Sequence, residues 1–144
     1  MTISAVVPSY RRWQCLLTTV KMLLSQTRVP DEIIIVDQTP RDEIPNEQWD
    51  ELLSLRSAHR FIYYLRQEEP LVYRARNLAA ARATTEFLLY LDDDVLISKT
   101  LVEDYLEVLK DTAADAVVGY STERGSEDEW VACPPQSLCA VDFA

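Results

Sequence analysis

Glycine is scarce in this chain, with only Gly119 and Gly125 among 144 residues. The GxGxxG turn of dinucleotide-binding proteins and the phosphate loop of P-loop enzymes both need closely spaced glycines, so that the backbone can approach phosphate. Neither motif occurs, which excludes two large classes of nucleotide-binding protein. Any phosphate ligand must instead be bound through a cation, helix amino termini or a few well-placed arginines.

Basic residues and long apolar runs are also lacking. The 14 Lys and Arg residues stand against 24 Asp and Glu, which gives a net charge of -10 and a pI near 4.5. This balance argues against a nucleic-acid partner or an anionic membrane. No run approaches the roughly 20 apolar residues of a membrane span, and no basic leader follows Met1. We therefore expect no membrane span.

The three cysteines, Cys15, Cys133 and Cys139, are odd in number and match no zinc spacing. They are typical of reduced thiols, and a cytoplasmic location is expected. The length and the 48% hydrophobic content suit one domain core. We assign residues 1–120 to this core. Residues 121–144 turn acidic and contain Pro134 and Pro135, so we predict there a loop and the incomplete start of a further part.

Short apolar runs alternate with helical patterns along the chain. Strands are predicted at 3–7, 33–36, 61–65, 87–91 and 116–118, and helices at 13–26, 49–58, 73–83 and 101–109. Continuous apolar strands of this kind are buried on both faces. The predicted fold class is therefore α/β, with a mainly parallel, Rossmann-like sheet flanked by helices.

Ligands of open parallel sheets bind where the carboxyl ends of the strands meet, and polar residues follow three of the predicted strands. These residues are Pro8-Ser9-Tyr10-Arg11-Arg12, Asp37-Gln38-Thr39-Pro40 and Asp92-Asp93-Asp94. In extended backbone, Asp92 and Asp94 would point one way and Asp93 the other. Two carboxylates on one side suit Mg²⁺ or Mn²⁺ bound to a diphosphate, whereas the plain alternative is a solvated acidic turn.

Single residues near these strand ends carry weaker signals. Asp37 could accept hydrogen bonds from a ribose or a base, or could simply cap the following turn. Arg11, Arg12, Arg74 and Arg76 could meet diphosphate charge, or could pair with nearby acids on a solvated surface.

Taken together, these segments resemble the inverting, GT-A-type glycosyltransferases of family 2. The resemblance covers about residues 2–120. It is carried by Ile3-Ser4-Ala5-Val6-Val7-Pro8-Ser9-Tyr10, by Leu23-Leu24-Ser25-Gln26-Thr27 with Pro30-Asp31-Glu32-Ile33-Ile34-Ile35-Val36-Asp37, by Arg74-Ala75-Arg76-Asn77, and by Phe87-Leu88-Leu89-Tyr90-Leu91-Asp92-Asp93-Asp94-Val95.

The resemblance implies a role for each strand-end residue. Pro8, Tyr10, Arg11 and Asp37 would contact the nucleotide, and Arg76 would hold its site together. The DXD motif would be Asp92–Asp94, with Asp94 and Asp92 at a Mg²⁺ or Mn²⁺ ion and Asp92 or Asp93 at ribose or sugar. The substrates implied are a nucleotide-diphosphate sugar and a hydroxyl acceptor, such as a glycan or a lipid-linked saccharide.

The sequence also departs from the family pattern. Gln38-Thr39-Pro40 replaces an acidic or Asn residue followed by Gly-Ser, and Glu69-Pro70-Leu71 replaces an Asn-x-Gly loop. The acceptor half and its carboxylate general base are expected to lie outside this chain, and the full-length protein could be peripheral to a membrane. Two alternatives stay open, a non-catalytic nucleotide- or metal-binding module and an aspartyl phosphatase, which would need a downstream Lys such as Lys99 or Lys110.

Overall fold

The computed structural model describes residues 1–119 and the backbone of 139–141. The chain divides into two compact units, Met1–Lys99 and Thr100–Ala144. The predicted functional boundary at residue 120 stays a prediction, and the expected loop around Pro134 and Pro135 lies outside the described residues.

The first unit contains a four-stranded, wholly parallel sheet in the order β3-β2-β1-β4. In chain order its elements are β1 (Ile3–Ser9), α1 (Trp13–Leu24), β2 (Glu32–Asp37), a 3-10 turn (Arg41–Glu43), α2 (Asn46–Ala58), β3 (Ile62–Arg66), α3 (Val72–Arg82) and β4 (Phe87–Tyr90). The predicted α/β class with a mainly parallel sheet is confirmed. The observed boundaries lie within three residues of the predicted ones, and several coincide.

Side chains of the two central strands alternate between two apolar cores. Ala5 and Val7 of β1 face a core formed with α1 and α2, whereas Val6 faces a core formed with α3. Strand β2 divides in the same way, with Ile33 and Ile35 on one side and Ile34 on the other. Because both faces are covered, β1 and β2 are buried at every position, which explains their continuous apolar sequences.

Helix α1 buries Leu16, Leu17, Val20 and Leu23 at helical spacing against the sheet. Helix α3 packs more closely through its small residues Ala75 and Ala79. The sheet is thereby held from both sides, and the loops at the carboxyl ends of its strands stand on a rigid base.

The second unit contains α4 (Leu101–Thr112), β5 (Ala116–Val118) and β6 (Cys139–Val141) among its described residues. Strands β5 and β6 pair antiparallel, with Val117 opposite Ala140. Within the part of the chain that the structure describes, no helix is long and apolar enough to cross a membrane.

Candidate donor-binding site

An open cleft of about 380 Å³ lies at the carboxyl end of β1 and β4. Its walls come from the loops that follow β1, β2, β3 and β4, where an open parallel sheet binds ligands. The cleft is lined by Pro8, Ser9, Tyr10, Arg12, Gln38, Pro70, Val72, Asp92, Asp93 and Asp94. The structure thus brings Pro8 and Tyr10 together with the aspartate triplet, as the sequence predicted.

Asp93 forms the buried floor of the cleft. Its side chain is held by Ser9, whose hydroxyl donates to Oδ2 at 2.6 Å, and its backbone carbonyl accepts a hydrogen bond from the Thr19 hydroxyl at 3.0 Å. Burial raises the pKa of Asp93, and the adjacent Asp94 and Asp92 raise it further, which together outweigh the lowering effects of Ser9 and Arg12. The cleft floor therefore carries a carboxyl group whose charge is poorly compensated.

Asp92 and Asp94 point away from this floor and remain about half exposed, at 58% and 48% of the side chain. Strand β4 ends at Tyr90, and Asp93 and Asp94 lie in a turn. The backbone is therefore not the extended strand that was expected. The predicted division still holds for solvent exposure, because Asp93 is buried and its two neighbours are not.

Each exposed aspartate is paired with an arginine. Arg76 from α3 donates from Nη2 to Asp92 Oδ1 at 3.1 Å, and its guanidinium lies 5.8 Å from the centre of the Tyr90 ring. Arg12 pairs through Nη1 with Asp94 Oδ2 and lies 3.6 Å from Asp93 Oδ1. Two cations thus face the three acidic side chains.

The donor atoms in this turn suit a hard divalent cation. Magnesium-like ions use one or two carboxylates and complete their shell with water and substrate phosphate oxygens. Asp92 and Asp94 supply such carboxylates at the cleft wall. In the described residues, no group of three or more His, Cys, Asp or Glu is arranged to hold a metal ion. The residues therefore fit Mg²⁺ or Mn²⁺ only if a ligand contributes further oxygens.

Asp37 lies at the end of β2 but does not line the cleft. Its side chain is fully buried. Oδ1 accepts a hydrogen bond from the Thr39 amide at 2.9 Å, and Oδ2 accepts one from the Tyr64 hydroxyl at 2.8 Å and lies 3.9 Å from Arg66. Burial, followed by the hydrogen bond to Asp37, raises the pKa of Tyr64 to about 12. The predicted contact of Asp37 with nucleotide stays a prediction, and its observed contacts are those of a turn cap.

Arg11 and Arg76 also lie outside the cleft lining. Arg11 adopts a left-handed backbone conformation with φ of 58°, and its side chain pairs with Glu43 at 2.5 Å. The next residue, Arg12, is the one that enters the cleft. Because adjacent arginines cannot be told apart by composition, the sequence did not reveal which of them faces the site. The predicted nucleotide contacts of Arg11 and Arg76 stay predictions.

The far wall of the cleft is formed by residues to which the sequence assigned no role. Gln38 is 4% exposed and accepts a hydrogen bond on Oε1 from Gln67 Nε2 at 3.2 Å. Gln67 also donates to the carbonyls of Glu69 and Leu71, at 2.6 and 3.2 Å. Gln67 therefore orients Gln38 and fixes the loop that presents Pro70. Gln67 thus connects the two segments that depart from the family pattern, and these departures were the signal in the sequence for this wall.

Solved structures show which class of protein shares this architecture. The chain resembles S. aureus TarS 1-349 in complex with UDP-GlcNAc, with a TM-score of 0.63 and 21% identity over 94% of the chain and 40% of the 1-349 fragment. It also resembles a mannosyltransferase from Pyrobaculum calidifontis in complex with GDP-Man and Mn²⁺, with a TM-score of 0.67 and 16% identity over 84% and 35% of the two chains. The fold is that of GT-A glycosyltransferases.

The family follows from the sequence. Residues 4–132 match Glycosyl transferase family 2, and the chain belongs to this family. A relative, the glycosyltransferase GlyG of Streptococcus pneumoniae, is 24% identical over 144 residues, which are 99% of this chain and 47% of GlyG. The chain thus spans about half the length of that relative.

Proposed function

We propose that this chain forms the donor-binding part of a glycosyltransferase that transfers a sugar from a nucleotide diphosphate to a hydroxyl acceptor with inversion. One observation carries the proposal: Asp92, Asp93 and Asp94 lie in one cleft with Pro8 and Tyr10, at the ligand-binding edge of a family 2 fold. Solved relatives in this fold class bind UDP-GlcNAc, or GDP-Man with Mn²⁺.

Each residue then has a definite task. Asp92 and Asp94 would hold Mg²⁺ or Mn²⁺, which supplies positive charge to stabilise the leaving diphosphate. Tyr10, 37% exposed at the cleft wall, would lie against the nucleoside together with Pro8. Asp93 and Ser9 would fix the turn that carries the two outer carboxylates. Arg76 would orient Asp92 from α3.

The general base is to be sought elsewhere. An inverting transfer needs a carboxylate that removes the proton of the attacking hydroxyl as the new bond forms. Within residues 1–119, Asp92–Asp94 are the only carboxylates that line the cleft, and these are assigned to the donor. We therefore place the base, and the surface that selects a glycan or lipid-linked acceptor, outside residues 1–119. A cytoplasmic location and peripheral membrane attachment of the full-length protein stay predictions.

Calorimetric titration of UDP, GDP and dTDP, with and without Mn²⁺, tests the donor site. We expect one nucleotide to bind only with metal, and the Asp92→Ala/Asp94→Ala variant to bind it at least about a hundredfold more weakly, since two charged contacts are lost. The matched control is Asp42→Ala/Asp50→Ala, which removes two exposed carboxylates that do not line the cleft.

The possible results separate the competing functions. Equal binding by the aspartate variant and its control would reject the metal–diphosphate site. Metal-dependent release of phosphate from a small phosphoester would favour an aspartyl phosphatase, although Lys99 does not line the cleft. The chain can also be fused to the acceptor-binding part of a relative. Nucleotide binding without sugar transfer by that fusion would favour a non-catalytic module.

A further inference from the structure

Arg12 is placed where both roles considered for it from the sequence, pairing with acids and meeting diphosphate charge, are within reach. Its guanidinium contacts Asp94 and lies 3.6 Å from Asp93, and its side chain is 55% exposed. The same side chain lines the donor cleft and a neighbouring cavity of about 460 Å³ beside Trp13 and Gln48. Arg12 is therefore placed between two open spaces, and is held on one side by the acidic turn.

Two other arginines of this region are placed differently. Arg11, the preceding residue, pairs with Glu43 and lines the second cavity but not the donor cleft. Arg76 reaches Asp92 from α3 and does not line the donor cleft. Among residues 1–119, Arg12 is the one arginine that both contacts the aspartate triplet and lines the donor cleft. A ligand in this cleft would lie within reach of its guanidinium.

Charge balance indicates what Arg12 does when a ligand enters. Without metal, the three adjacent carboxylates attract a cation, and Arg12 supplies one. A divalent ion on Asp92 and Asp94 would compete with the guanidinium for the Asp94 carboxylate. The diphosphate would at the same time bring new anionic oxygens, to which a guanidinium can donate two parallel hydrogen bonds.

We propose that Arg12 is an exchangeable counter-ion, which pairs with Asp94 beside Asp93 before ligands bind and transfers to the diphosphate when metal and nucleotide bind. The inference rests on the proposed function, because it requires a metal-bound nucleoside diphosphate in this cleft. The side chain is 55% exposed and also borders the second cavity, so it is not enclosed by neighbouring residues. Arg12 would then bind diphosphate directly, while also setting the affinity for metal alone.

The exchange predicts effects of opposite sign in one variant, Arg12→Gln. Binding of Mn²⁺ alone becomes severalfold tighter, because a competing cation is lost. Binding of UDP or GDP with Mn²⁺ becomes about tenfold weaker, because a charge-assisted contact is lost. Binding of UMP or GMP changes little, since these nucleotides lack the second phosphate. A residue with a purely structural role would not separate diphosphates from monophosphates.

The experiment is calorimetry on the 144-residue chain with Mn²⁺ alone, then with UDP, UMP, GDP and GMP at fixed Mn²⁺. Arg60→Gln is the matched control, because it removes an exposed arginine that lines neither the donor cleft nor the second cavity. This control is expected to leave every affinity within about twofold.

The results that would overturn the inference are specific. Equal weakening of diphosphate and monophosphate by Arg12→Gln, an unchanged diphosphate affinity, or weaker binding of Mn²⁺ alone would each reject the exchange while the donor site stands. A wild-type chain that binds neither UDP nor GDP with Mn²⁺ would reject the proposed function, and the inference with it.

Discussion

Two carboxylates buried at opposite ends of the parallel sheet, Glu32 and Asp93, are compensated in different ways. At the amino end, Glu32 of β2 is 6% exposed and accepts hydrogen bonds from the Ser4 hydroxyl at 2.6 Å, the Thr84 hydroxyl at 2.7 Å and the Thr84 amide at 3.1 Å. At the carboxyl end, Asp93 is 5% exposed. Within the described residues, the Asp93 side chain accepts one hydrogen bond, which the Ser9 hydroxyl donates.

The pKa values of these two carboxyl groups shift in opposite directions. Burial alone would raise the pKa of Glu32, but hydrogen bonds from Ser4 and Thr84 outweigh burial and lower it. Burial raises the pKa of Asp93, and the neighbouring aspartates add to that effect. A closed network stabilises a fold, whereas a poorly compensated charge in a cleft is typical of a functional site. The comparison therefore separates Glu32, a carboxylate within a hydrogen-bonded structural network, from Asp93, a carboxylate of the candidate ligand site.

Breaking the closed end should have the largest effect on stability. Glu32→Gln keeps the shape but replaces one acceptor oxygen with an NH₂ group, so a donor from Ser4 or Thr84 loses its partner. We expect the free energy of unfolding to fall by about 1.5 kcal/mol. Urea unfolding followed by tryptophan fluorescence measures this loss. The control Glu68→Gln, in an exposed loop, should change it by less than about 0.5 kcal/mol.

A Glu32→Gln protein as stable as the wild type would show that the network is not a stabilising one. In that case the hydrogen bonds of Glu32 would no longer distinguish it from Asp93, which is equally buried, and the assignment of a structural role to Glu32 would be lost.

Wild type and Glu32→Gln should also differ in how their stability depends on pH, and the expected change is slightly smaller. The folded pKa of Glu32 lies below the ordinary value of 4.5, so folding favours its charged form. Its contribution is fully present above that ordinary value and is lost as the pH falls through the folded pKa. The stability difference between wild type and Glu32→Gln should therefore be constant from about pH 7 to 5 and shrink below about pH 4.5. A difference that grows on acidification would contradict this sign.

The fold could be predicted largely from the sequence, because its signals are local. Strands β1 and β2 contain the continuous apolar runs 5–8 and 33–36 and are buried at every position, which is what such runs indicate. The ends of the elements were less certain. Strand β4, for instance, ends at Tyr90, one residue before the predicted end at Leu91. Such boundaries depend on tertiary contacts that sequence periodicity does not contain.

The sequence indicated which segments form the candidate site, but it did not indicate which side chains face the cleft. The triplet Asp92–Asp94 was recognised because charge directly follows an apolar strand. Which arginine faces it depends on the left-handed backbone of Arg11, a conformation that non-glycine residues rarely adopt. The burial of Asp37 likewise depends on Tyr64, which comes from the adjacent strand β3. Contacts between distant segments of this kind leave no periodic signal.

The smallest expected effect on stability is that of Asp93→Asn. This substitution should stabilise the protein, whereas Glu32→Gln should destabilise it. The raised pKa of Asp93 means that folding disfavours its charged form, so stability falls as the pH rises through that pKa. Asp93→Asn removes the charge, and its Oδ1 can still accept the Ser9 hydrogen bond. We expect the free energy of unfolding at pH 7 to rise by less than about 1 kcal/mol, although nucleotide binding weakens.

Urea unfolding of Asp93→Asn and wild type between pH 4 and 8 measures this effect, with Asp42→Asn as the exposed control. The advantage of the variant should increase with pH and disappear near the ordinary Asp pKa of 3.8. A loss of more than about 1 kcal/mol at pH 7 would instead mean that Asp93 is held in place as Glu32 is. The acidic turn would then be a structural cap, and its carboxylates would be stabilised without any bound cation.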